Sequence, residues 1–101
     1  MAFVRVAAVA DIGEGQGTLV EHGGLTIALF NAGSGRFVAC SPTCPHEDGP
    51  LVEGWLDGNA VVCPWHGYEY SIKTGRHQGN SRMRLRQAKL KIVGSEIYVV
   101  L

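Results

Sequence analysis

At 101 residues the chain makes one domain, able to bury roughly two-thirds of its unfolded surface in a single modest core, with no room for a second catalytic domain. Lys plus Arg balance Asp plus Glu at nine each, so no global field favours nucleic acid or an anionic membrane. The N-terminal Met1-Ala2-Phe3-Val4-Arg5 lacks the blocks of a signal peptide, no apolar run reaches a membrane span, and three cysteines imply no disulfide framework, so a cytoplasmic location is expected.

Short apolar runs broken by glycine clusters recur along the chain, and no 3.6-residue pattern persists for three turns, which predicts an all-β domain. Phe3 to Val9 reads as a first strand, ended by Asp11-Ile12-Gly13-Glu14-Gly15. Thr18 to Glu21 and Leu25 to Phe30 flank His22-Gly23-Gly24, a hairpin signal because glycine takes positive φ without steric cost. Phe37 to Cys40 follows as an antiparallel partner after Asn31-Ala32-Gly33-Ser34-Gly35. Gly54-Trp55-Leu56 and Ala60-Val61-Val62 flank Asp57-Gly58-Asn59 as a further hairpin, and Tyr68 to Ile72 is a strand that Thr74-Gly75 turns around. In Arg82-Met83-Arg84-Leu85-Arg86 three arginines share one face of a strand, whereas Leu90 and Ile92 alternate with Lys89 and Lys91 in the opposite phase. A bulge or bend near Gln87-Ala88 reconciles the two. Ile97 to Leu101 closes a last hairpin across Gly94-Ser95-Glu96.

The residues that carry chemistry lie between 44 and 66. Cys44-Pro45-His46 and Cys63-Pro64-Trp65-His66 each offer one Cys and one His, with sixteen residues between His46 and Cys63. A structural Cys2His2 zinc site is one reading of four such ligands. Zinc fingers, however, commonly pair their cysteines in one knuckle and their histidines in a helix, whereas these two loops are chemically alike. Two like loops suit a binuclear centre in which both cysteines hold one iron and both histidines the other. Hairpins on either side place the loops at strand ends, where a β scaffold can fix their separation.

Cys-x-His, this spacer, and Cys-x-x-His-Gly together resemble the Rieske signature, and the match extends through Gly49-Pro50-Leu51, Val62, Gly67-Tyr68-Glu69-Tyr70 and Lys73-Thr74-Gly75. The chain's length and strand pattern also resemble the small Rieske ferredoxins. The resemblance implies antiparallel sheets forming an incomplete barrel, a single Rieske domain over 1–101 and a small cluster-binding subdomain at about 41–72. It implies one 2Fe-2S cluster per chain held by Cys44, His46, Cys63 and His66, with Pro45, Pro64, Trp65, Gly67, Tyr68 and Tyr70 around it. It also implies a one-electron carrier rather than an enzyme, shuttling from a flavoprotein ferredoxin reductase to a terminal oxygenase of an aromatic-ring-hydroxylating dioxygenase system. The alternative within the same resemblance is the small subunit of an assimilatory nitrite reductase, partnered by its large subunit.

Departures from the family pattern refine this. High-potential respiratory members carry an extra Cys in each loop, where this chain has Glu47-Asp48-Gly49 and Trp65, and a Ser two residues after the second His, where it has Tyr68. Tyr70 keeps the position of their second hydroxyl donor. These changes, with Glu47, Asp48 and Glu69 nearby, predict the low end of the Rieske range of about −150 to +300 mV. A third loop that covers the cluster in many members falls at Gly79-Asn80-Ser81 and lacks their proline. Glu47, Asp48, Glu53, Trp65 and Glu69 form a candidate docking surface for a partner with a basic rim. Trp55 is expected in the core, Cys40 as a buried thiol, and His22, His77 and the Arg82, Arg84, Arg86 stripe as solvated.

Overall fold

The computed structural model describes residues 2–44, 49–65, 67–72, 74–77 and 84–100. Among them the chain forms ten β-strands, two single 3₁₀ turns and no α-helix. Strands β1 (Phe3–Ala8), β10 (Glu96–Val100) and β9 (Leu90–Val93) make one sheet in that order. A second runs β2 (Gly17–His22), β3 (Leu25–Gly33), β4 (Arg36–Cys40) and β8 (Gln87–Ala88). A third is β5 (Trp55–Asp57), β6 (Ala60–Val62) and β7 (Glu69–Ser71). Every pairing between them is antiparallel, as the short glycine-bounded runs predict. The expected hairpins across His22-Gly23-Gly24 and Asp57-Gly58-Asn59 both form, with His22 opposite Leu25 and Asp57 opposite Ala60.

The reversal of phase near Gln87-Ala88 is a change of sheet. Gln87 and Ala88 pair with Cys40 and Ala39 of β4, and beyond Lys89 the chain joins β10 in the first sheet, Leu90 opposite Val99. The expected continuous strand through 82–86 is corrected in its described part. Arg84 makes only an isolated bridge to Arg76, Leu85 N–H donates to the Gly75 carbonyl (2.7 Å), and the Arg86 carbonyl accepts from Ser41 (2.8 Å). Backbone groups that bond to two different segments cannot build one ladder. Arg82 and Met83 lie outside the described residues.

Strand β3 is buried on both faces and divides the interior in two. Leu29 joins Ala7, Ile12, Ala39, Ile97 and Val99 in an aliphatic core between the first two sheets. Its neighbours Ala28 and Phe30, one pleat out of phase, face a second core with Cys40, Cys44, Leu51, Val61, Cys63, Tyr70, Ile72 and Leu85. The second core contains both cysteines of the candidate ligand loops. No helix among the described residues is long and apolar enough to cross a membrane.

Candidate metal centre

Two loops rise from strand ends and are closed in the same way. Cys44 follows β4 through Ser41-Pro42-Thr43, and its N–H donates to the carbonyl of Gly49, five residues on (2.8 Å). Cys63 directly follows β6, and its N–H donates to the carbonyl of Tyr68, again five residues on (2.8 Å). Each bond seals a four-residue loop, and His46 and His66 fall inside these loops. Both histidines, with Pro45, Glu47 and Asp48, lie outside the described residues, as do Gly79-Asn80-Ser81 of the expected third loop. The first loop is further fixed at its base by a bridge between Thr43 and Pro50 and by Leu51 N–H donating to the Pro42 carbonyl (3.3 Å).

The two cysteines converge. Both are fully buried, and the Cys44 thiol stands within hydrogen-bonding range of Cys63. Burial pushes the Cys63 thiol up, the Trp65 backbone N–H opposes this, and the neighbouring Cys44 adds to it. Tyr70 places its hydroxyl 2.9 Å from the Cys44 sulfur. Burial, then the adjacent Cys44 and Cys63, push that phenol up as well, so its proton stays on oxygen and is available to a thiolate at Cys44. Two thiolates side by side in an apolar core need a cation between them, and hydrogen-bond donors stand ready at both sulfurs. That donor set fits an iron bound by both cysteines, with the histidines of the same two loops left for its partner iron.

Packing around the sulfurs is tight. A methyl group at Gly49 would sit 2.7 Å from the Cys63 sulfur and 3.2 Å from the Trp65 ring, so Gly49 lets the first loop lie against the second. Trp65 is 45% exposed, its ring reaching from this contact to solvent. Pro64 packs over Gly54 at the entry to β5, and Gly67 turns the second loop back into β7. Of the expected docking residues, Glu53 is exposed and Glu69 half-buried.

Trp55 departs from expectation, being 53% exposed rather than in the core. On the three-residue strand β5 it is Leu56 that packs inward, so Trp55 and Asp57 project outward by alternation. Trp55 opposes Val62, which opposes Glu69, so the tryptophan and the carboxylate share one cross-strand row. Cys40 is buried as expected, and His22 is exposed. His77, expected in solvent, instead lies half-buried against the rings of Tyr68 and Tyr70. The signal for it was the Thr74-Gly75 turn, which folds residue 77 back across Tyr70.

A β scaffold whose two like Cys/His loops meet over a shared thiol pair defines the Rieske class of iron-sulfur domain. The Rieske [2Fe-2S] domain family matches residues 2–93, and the chain belongs to it. It is 30% identical over 100 residues to the ferredoxin component of biphenyl 2,3-dioxygenase from Rhodococcus jostii, covering 98% of this chain and 92% of that protein. It is 39% identical over 77 residues to the 3-phenylpropionate/cinnamic acid dioxygenase ferredoxin subunit of Escherichia coli K12, covering 75% and 71%. Among solved structures, a chain in the complex of reduced oxygenase and oxidized ferredoxin in carbazole 1,9a-dioxygenase aligns with a TM-score of 0.83 at 29% identity, over 96% of this chain and 91% of that one. A putative NADH-dependent nitrite reductase small subunit from Mycobacterium tuberculosis aligns with a TM-score of 0.88 at 18% identity, over 97% and 93%, and shares the fold.

Proposed function

We propose that this protein is the ferredoxin component of a multicomponent oxygenase system, passing single electrons from a flavoprotein reductase to a terminal oxygenase through one Rieske 2Fe-2S cluster. The observation that carries this reading is the pair of cysteine loops, closed by equivalent hydrogen bonds and converging on Tyr70 in the second core. Similarity over nearly the full length to one ferredoxin component of a dioxygenase, and over three quarters of this chain to another, supports the same role. The likeness to a nitrite reductase small subunit extends to the fold alone, which makes that alternative the weaker one.

Cys44 and Cys63 hold one iron and His46 and His66 the other, within a cluster-binding subdomain at about 41–72 of a single domain spanning 1–101. The separate β5-β6-β7 sheet supports that division. When bound, the cluster supplies a one-electron couple with every coordination position filled, so the protein transfers electrons without transforming a substrate. Tyr70 holds a proton toward the Cys44 sulfur, the Trp65 amide faces the Cys63 sulfur, and both favour the more negative reduced state. The thiols are fully buried, while Trp65, Glu53 and Glu69 offer an acidic and aromatic face to a basic partner, and the sequence adds the acidic Glu47 and Asp48 to the same stretch of chain. Balanced charge fits a cytoplasmic shuttle that binds neither nucleic acid nor membrane, and no helix among the described residues is long and apolar enough to cross one.

Anaerobically purified protein is expected to be red-brown, with two irons and two acid-labile sulfides per chain and a rhombic EPR signal on reduction. It should accept one electron from a ferredoxin reductase and deliver it to a terminal oxygenase. A colourless protein with one stoichiometric zinc overturns the reading. Electron delivery should slow as ionic strength rises if acidic residues steer docking, and rates independent of salt would argue against that steering.

A further inference from the structure

We propose that His77 is a positioning residue for the cluster, acting through Tyr70, an inference that rests on the electron-carrier reading above. Its imidazole stands edge-on to two tyrosines at once, with ring centroids 4.7 Å from Tyr68 (62° between planes) and 5.4 Å from Tyr70 (71°). These two residues are the ones that touch the candidate cysteines, Tyr68 just before β7 and Tyr70 within it. The Tyr70 hydroxyl stands 2.9 Å from the Cys44 sulfur, and the Tyr68 carbonyl accepts the Cys63 N–H. One side chain therefore packs against both residues that meet the cysteines, and at Tyr70 it packs on the ring that carries the hydroxyl.

The backbone under His77 is held firmly enough for that task. His77 bridges Tyr70 directly, Ser71 N–H donates to the Arg76 carbonyl (2.9 Å), and Gly75 N–H donates to the Ser71 carbonyl (2.7 Å). Arg76 N–H bonds the Thr74 hydroxyl (3.2 Å), and Leu85 N–H reaches the Gly75 carbonyl (2.7 Å). Gly75 has φ +78°, and a methyl group there would stand 2.5 Å from the Leu85 carbonyl oxygen, so the turn that presents His77 admits little variation. Tyr70 is fully buried in the core cluster that also holds Val61, Leu51 and Leu85, and His77 meets its ring from the turn. A hydroxyl-to-sulfur hydrogen bond weakens steeply with misalignment, so a ring held on one side only would donate less well. Edge-to-face contact between rings supplies orientation that an aliphatic filler would not.

The test is a potentiometric titration of the holoprotein, followed by visible circular dichroism, on His77→Ala, His77→Phe, Tyr70→Phe and the double variant His77→Ala/Tyr70→Phe. His77→Ala should move the midpoint potential negative, in the direction of Tyr70→Phe and by less. His77→Phe, which keeps an edge-on ring, should restore the wild-type potential, and the double variant should match Tyr70→Phe alone, because His77 acts through the hydroxyl already removed. Should His77→Ala load no cluster, His77→Gln takes its place with the same expectation. A wild-type potential in His77→Ala, a shift that survives in full on the Tyr70→Phe background, or no rescue by phenylalanine overturns the positioning role. Any of these leaves the carrier reading intact, whereas a wild-type protein that binds zinc and no iron sinks both.

Discussion

The two faces of β3 are put to different uses. On one side Leu29 closes an aliphatic core with Ile97 and Val99, in which no buried side chain can ionise or bind metal. On the other side, Ala28 and Phe30 share their core with three cysteines and a tyrosine. Both are close-packed, yet the second sets its two loop thiols beside polar partners: Tyr70 for Cys44, and the Trp65 amide with Cys44 for Cys63. One core thus supplies a platform built without ionisable groups, and the other would gain its full stability once a metal neutralised its thiols. The loops that bring in those thiols are alike in closure and unlike in their sulfur donors, a side-chain hydroxyl in one and a backbone amide in the other.

The largest expected break in this comparison comes from the thiols. Cys44→Ser or Cys63→Ser should abolish the visible absorption of the cluster and strip hydrogen-exchange protection from Val61 and Tyr70, while Leu29, Ile97 and Val99 stay protected. Loss of protection in both cores together would show that they fold as one unit. Leu29→Ala is the reciprocal change, deleting a fully buried side chain from the aliphatic side at a cost of about 2–5 kcal/mol in denaturant unfolding. Its midpoint potential should equal that of the wild type, and a shift as large as that of Tyr70→Phe would mean that the platform is not independent.

A finer change acts where the two loops touch. Gly49→Ala introduces a methyl group 2.7 Å from the Cys63 sulfur, so one loop must retreat. Iron content per chain should fall and the visible circular dichroism change, while unfolding of the aliphatic core is unaltered. Full cluster loading with an unchanged spectrum would show that the loops accommodate the methyl freely.

Much of this arrangement is legible in the residues themselves. Glycine-bounded runs mark the hairpins, and the paired Cys/His loops with their proline and glycine flanks name the cofactor. Three features escape for physical reasons. Trp55 lies on a strand of three residues, too short for alternation to reveal which side chain faces in, and an aromatic ring alone favours the core. The stretch after Leu85 changes phase because it changes sheets, and one-dimensional periodicity cannot distinguish that from a bulge. His77 follows a turn, where histidines usually meet solvent, and only the pairing of that turn with Tyr70 brings it to the site. The assignment of His46 and His66 rests on their spacing from Cys44 and Cys63 alone, since both lie outside the described residues.

Cys40 offers the smallest and sharpest test of how dry the second core is. It stands opposite Gln87 on the β4–β8 pairing and faces Ala28 across β3, and burial pushes its thiol from an ordinary 9.0 up to about 12. A raised thiol pKa means that the folded chain keeps its proton while the unfolded chain loses it. The contribution to stability is therefore complete below pH 9 and declines as pH climbs from there toward 12. At one unit above the unfolded value the loss amounts to about 1.4 kcal/mol. Cys40→Ala should be less stable than the wild type at pH 7, because a sulfur-sized void replaces the thiol, yet should lose less stability between pH 9 and 10. Equal alkaline slopes for the two proteins would place water at Cys40 and contradict a dry core beneath the cluster loops.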